Sequence, residues 1–128
     1  KTLILDIKFN EDYFERVIHH ELFHVMHLQH KEVFNEEEWI KFNNSKFKYA
    51  ECSTCTKNIS LEKYQVTNGF FTEYSKSTAS EDMAEVYSHM IFLKKKEINQ
   101  IRKLDPILNN KISYIENKIK VVDSSFTF

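Results

Sequence analysis

The chain has 128 residues and a formal net charge of −1, so nothing electrostatic favours nucleic acid or an anionic membrane. No apolar run approaches the roughly 18 residues that a membrane span needs. One glycine and one proline leave few turn-makers, and the expectation is a single mainly helical α+β domain over residues 1–128, a fragment of a longer protein.

The predicted elements begin with "TLILDIKF", Thr2 to Phe9, an apolar run ending in alternation, as in a strand packed on one face. Asn10 reads as the N-cap of a helix from about Glu11 to His30. At 100° per residue, Phe14, Val17, Ile18, Leu22, Val25 and Leu28 form one stripe, the expected core face. Tyr13, His20, His24 and His27 form an adjacent stripe, with Glu21 between the two. Asn35 caps a second helix whose first turn is Glu36, Glu37 and Glu38 and whose apolar side is Trp39, Ile40 and Phe42. Residues from about 43 to 72 read as an irregular insert carrying Cys52 and Cys55, expected as a local disulfide, with two free thiols as the alternative. A third helix is expected from about Ser80 to Glu97, which puts Lys94, Lys95 and Lys96 near its C-terminus as a solvated, dipole-favoured cluster. Asp105-Pro106 is an N-cap followed by a proline at the first helical position, opening a last helix to about Val121 with Ile107, Leu108, Ile112, Ile115 and Ile119 inward.

The chemistry-bearing stretch is "RVIHHELFHVMHLQH", Arg16 to His30, which contains His20-Glu21-Leu22-Phe23-His24, the pattern HExxH. Residues i and i+4 lie one helical turn apart, so two imidazoles can reach one metal ion while the intervening Glu sits beside it. With six His and fourteen Glu, chance alone gives this pattern about three times in a hundred such chains. A catalytic zinc takes three protein ligands and keeps one position open. His30 has the spacing of a metzincin third ligand, but His27 stands where that signature has its helix-breaking glycine. An unbroken helix turns His30 roughly 80 to 120° away, and His27 sits about 10 Å along the axis from His20. Glu81 and Glu85, one turn apart on a later helix, are the better source, although Thr78-x-x-Glu81 also reads as a capping box.

His20-Glu21-x-x-His24 followed by Gly69-Phe70-Phe71-x-x-Tyr74 and Glu81-Asp82-x-Ala84-Glu85 resembles the zinc-binding metallopeptidases of the gluzincin type. The layout is similar to the catalytic domains of anthrax lethal factor and the clostridial Pro-Pro endopeptidases. The resemblance implies a zincin-like fold and one catalytic Zn2+ held by His20, His24 and Glu81. It also implies a Tyr seven residues before the ligand Glu, which is Tyr74, to assist catalysis, and leaves Glu85 to orient a ligand imidazole. It further implies a protein or peptide substrate, a bacterial exported or cell-surface location, and pairing of extended substrate with the strand at Thr2 to Phe9. Glu81 follows His24 by 57 positions, a longer interval than in those two groups. The expected function is zinc-dependent hydrolysis of peptide bonds with Glu21 as general base towards a zinc-activated water. A non-catalytic zinc-binding module of a larger surface protein is the alternative, and a structural zinc or plain helical protein a third.

Overall fold

The computed structural model describes residues 11–55 and 68–128. The expected strand at Thr2 to Phe9 and the Asn10 cap lie outside them. Among the described residues the chain forms α1 (Glu11–Gln29), α2 (Glu36–Ile40), a 3-10 turn (Tyr74–Lys76), α3 (Ala79–Phe92), α4 (Lys95–Leu104) and α5 (Pro106–Val122), with no strand. The mainly helical reading therefore holds for this part.

Local chemistry accounts for most of the boundaries. Asn35 starts α2 by accepting the Glu38 amide on its side chain (3.0 Å), and three glutamates follow at the positive end of the helix dipole. Asp105 does the same for α5 through the Leu108 amide (2.9 Å), with Pro106 at the first helical position. Thr78 caps α3 by accepting from the Glu81 amide (3.2 Å).

α3 is the centre of the molecule, packed by α1, α2, α5 and the 3-10 turn. Every residue from Asp82 to Met90 is buried, so the helix meets protein on all sides. Phe23 of α1 packs edge-on to Phe34 (5.1 Å between centroids) and beside Tyr87 of α3 (5.3 Å). Trp39 of α2 packs against Tyr114 of α5 (5.5 Å), and Leu108, Ile112, Ile115 and Ile119 line the inner face of α5 as expected. Each fully buried large apolar side chain contributes about 1.5–3 kcal/mol.

Four expectations are corrected. On α1 the face against α3 is Arg16, His20, Phe23 and His27, all buried, whereas Leu22, Val25 and Leu28 are 47, 44 and 53 % exposed. The polar stripe turns inward because α3 offers it Ser80, Glu81 and Glu85 as hydrogen-bond partners, which an apolar face could not use. Ile40, expected on the apolar side of α2, is likewise exposed. The helix expected to reach Glu97 ends at Phe92, where Leu93 turns extended, and a separate helix begins at Lys95 with Glu97 accepting the Lys94 amide (3.3 Å). Lys94, Lys95 and Lys96 are exposed but at the start of α4 rather than at a helix C-terminus.

The insert contains no regular element from 43 to 55, and the Cys52 and Cys55 sulfurs are at bonding distance, 1.98 Å. Phe70 and Phe71 are buried in packing. Gly69 has a φ of +86°, and a Cβ there would meet Ile107 Cγ2 at 2.6 Å. Its amide donates to Asp105 Oδ2 (2.7 Å) and its carbonyl accepts from Lys111 Nζ (2.6 Å), so a positive-φ, side-chain-free residue is what this junction requires.

Candidate metal centre

The α1–α3 interface brings His20, His24 and Glu81 together. His20 Nε2 is 2.9 Å from Glu81 Oε2, His24 Nε2 is 3.0 Å from the same oxygen, and the two Nε2 atoms are 3.1 Å apart. These atoms form one cluster that could hold a metal ion. A tetrahedral zinc with bonds near 2.0–2.1 Å holds its ligand atoms about 3.3 Å apart, so the triangle nearly matches one face of that tetrahedron. Imidazole nitrogen and carboxylate oxygen are zinc's usual partners, and the three residues therefore fit the ion.

Burial and charge fit it too. Burial pushes the Glu81 carboxyl up, but hydrogen bonds from His20 and His24 outweigh it and hold the group down at about 2. Burial pushes His20 down, and its bonds to Glu81 and Glu85 outweigh that and raise it to about 9. The cluster thus favours positive charge, for which a proton and a divalent cation would compete at the same atoms.

Behind His20, Glu85 Oε1 accepts from Nδ1 at 2.9 Å. Glu85 is in turn held by Arg16 Nη1 (3.0 and 3.2 Å) and by the Thr72 hydroxyl (2.8 Å). Behind His24, Nδ1 lies 3.3 Å from Ser80 Oγ, which is also 3.3 Å from His27 Nδ1. Arg16, Thr72 and Ser80 were not anticipated as neighbours of the site. Arg16 stands four residues before His20, and that spacing was the available signal.

Glu21 is half-buried and, with Tyr13, Arg16, Val17, His20, Tyr74 and Glu85, lines a cavity of about 280 Å³. Tyr74, on the 3-10 turn, has its ring 6.0 Å from that of His20 and lies near enough to Glu81 to feel its charge. Burial and the Glu81 carboxylate both raise the Tyr74 phenol, so it stays protonated across the neutral range. A second cavity of about 520 Å³ opens on the other side, lined by His24, Glu81, Ser80, His27, Leu28, Phe34 and the start of α2. His30 is not brought to the cluster; its Nδ1 is 3.8 Å from Glu32. His89 is buried, donates Nδ1 to the Glu85 carbonyl (2.7 Å) and stacks on Phe71 (4.5 Å), a packing role.

Two imidazoles and a carboxylate converging from two helices make a group that could hold one metal ion in a mainly helical protein. The chain belongs to the family described as "Putative zinc-binding metallo-peptidase", whose pattern matches residues 4–127. No curated protein and no solved structure gives a match. Family membership implies a protein substrate, and among the described residues no helix is long and apolar enough to cross a membrane.

Proposed function

We propose that this chain is the zincin-like catalytic domain of a gluzincin-type zinc endopeptidase. The reading is supported by the His20, His24 and Glu81 triangle standing beside a cavity that Glu21 and Tyr74 share. His20 and His24 of α1 and Glu81 of α3 would hold zinc, which when bound polarises the scissile carbonyl and acidifies an attacking water. Glu21, one residue beyond His20, takes the proton of that water and hands it to the leaving amine. Tyr74, kept protonated, donates its O–H to the substrate carbonyl oxygen as negative charge grows there. Glu85 fixes the His20 ring through Nδ1.

The first test is metal stoichiometry by plasma mass spectrometry on the parent and Glu81→Ala, beside cleavage of an unstructured protein by the parent and Glu21→Gln. About one zinc in the parent, much less in Glu81→Ala, and cleavage lost in zinc-loaded Glu21→Gln are expected. Zinc without any cleavage would leave a non-catalytic zinc-binding module. No zinc in the parent after reconstitution would remove the reading altogether.

A further inference from the structure

The two ligand histidines have different outer partners, and those of His24 form a chain leading away from the cluster. His27 Nε2 lies 3.1 Å from the Phe34 carbonyl oxygen and 3.8 Å from Glu36 Oε1. Both are acceptors, so Nε2 must carry a hydrogen. In a neutral imidazole that leaves Nδ1 as an acceptor, and the group 3.3 Å from it is the Ser80 hydroxyl, which therefore donates. With its hydrogen committed, the Ser80 oxygen accepts from the other nitrogen at 3.3 Å, His24 Nδ1. His24 then bears its hydrogen on Nδ1, and its Nε2 lone pair points at Glu81 Oε2 and His20 Nε2.

The reverse direction of the chain is self-defeating. Were Ser80 to donate to His24 Nδ1, His27 would need hydrogens on both nitrogens. A neutral His24 would then carry its own on Nε2, the atom that must ligate.

We propose that Ser80 and His27 are positioning residues, a neutral relay from the Phe34 carbonyl through His27 and Ser80 that fixes His24 in its ligating tautomer and ring orientation. This rests on the zinc site proposed above. It also assigns a role to the histidine that stands where metzincins carry a glycine. His27 is 7 % exposed and reaches the cluster through one serine rather than touching it. His24 itself is partly exposed at the edge of the larger cavity, and among the described residues its Nδ1 faces Ser80 where the Nδ1 of His20 faces the buried Glu85 carboxylate.

The test is zinc affinity by chelator competition on folded protein, for the parent, Ser80→Ala, Ser80→Thr, His27→Phe and the double variant Ser80→Ala/His27→Phe. Phenylalanine suits position 27 because the ring already packs beside Phe23 (5.8 Å) and Phe34 (6.0 Å). Loss of one outer hydrogen bond to a metal-ligating histidine weakens binding by about 10- to 100-fold, the range expected for Ser80→Ala. Ser80→Thr, which keeps the hydroxyl, should stay near the parent. His27→Phe should fall between, and the double variant should be no worse than Ser80→Ala, because both cut one chain. On the zinc-loaded parent, nitrogen-15 correlation spectra should show His24 protonated at Nδ1 and His27 at Nε2. Parent-like affinity in Ser80→Ala, additive losses in the double variant, or a His24 protonated at Nε2 would each overturn the relay while leaving the zinc site standing. A parent that binds no zinc overturns both.

Discussion

Two carboxylates three residues apart on α3, Asp82 and Glu85, are both buried completely or nearly so, yet they work in opposite directions. Glu85 faces α1 and accepts hydrogen bonds from His20, Arg16 and Thr72; burial pushes its carboxyl up, but the His20 bond and the nearby charges of His89, Arg16 and His20 outweigh it and hold the group at about 2. Asp82 faces α2 and α5. Its Oδ2 accepts from Trp39 Nε1 (2.9 Å), the Tyr49 hydroxyl (2.5 Å) and Lys111 Nζ (2.6 Å). Burial pushes Asp82 up and Lys111 down, each toward its neutral form. One acid is stabilised as a charge and aims that charge at the imidazole of His20, a proposed ligand. The other is a clamp joining the insert, α2, α3 and α5, and Lys111 completes it by reaching the Gly69 carbonyl and lying 4.0 Å from the Phe70 ring centre. The stretch Glu81-Asp82-x-Ala84-Glu85 thus holds three acids with three duties: the proposed ligand, the clamp and the orienting group.

The clamp should carry the larger share of stability and the orienting group the larger share of metal binding. Lys111→Ala leaves Asp82 as a buried charge without its cation, which costs about 3–5 kcal/mol. Urea unfolding should show that loss, while the zinc affinity of the molecules still folded stays near the parent's. A loss under about 1 kcal/mol would mean that Asp82 is held well enough by Trp39 and Tyr49 alone.

The orienting group should respond the other way round. Glu85→Gln keeps an acceptor for His20 Nδ1 but removes the charge that Arg16 and the imidazole face. Zinc binding should weaken by about 10- to 100-fold, with a smaller fall in stability than Lys111→Ala gives. Unchanged zinc affinity would mean that the His20 ring is fixed by packing, not by the carboxylate.

These duties were unevenly legible in the residues themselves. HExxH follows a purely local rule, one turn between two imidazoles, and the caps at Asn35 and Asp105-Pro106 are equally local, so all were readable. Glu81 and Glu85 were readable as a pair, but the choice between them came from the resemblance to known metallopeptidases, because helix spacing treats them alike. Which stripe of α1 faces inward was not readable. Apolar content points to Leu22, Val25 and Leu28, and only the partners on α3 make the polar stripe the buried one. Ser80 and His27 meet through the axial register of two helices far apart in sequence, which no single-helix pattern encodes. The break at Leu93 has neither glycine nor proline to announce it. Lys111 carries no signal of its own in the sequence, since a fully buried lysine is rare enough that sequence alone argues against it.

The smallest expected effect is the most discriminating. Because both members of the Asp82–Lys111 pair are pushed toward neutrality, the ion pair itself contributes little net stability, and removing both charges together should be far milder than removing one. In Asp82→Asn/Lys111→Met, the amide oxygen still accepts from Trp39 and Tyr49, and the methionine stem still fills the space beside Phe70. Its unfolding free energy should lie within about 1–2 kcal/mol of the parent's, well above that of Lys111→Ala, and its zinc affinity should be unchanged. The second half of that outcome bears most on function, since residue 82 is the immediate neighbour of Glu81. A tenfold loss of zinc in a stably folded double variant would show that the charge at Asp82 helps set where α3 presents Glu81. Clamp and site would then be one electrostatic unit, and the division of labour between the two buried acids would fail.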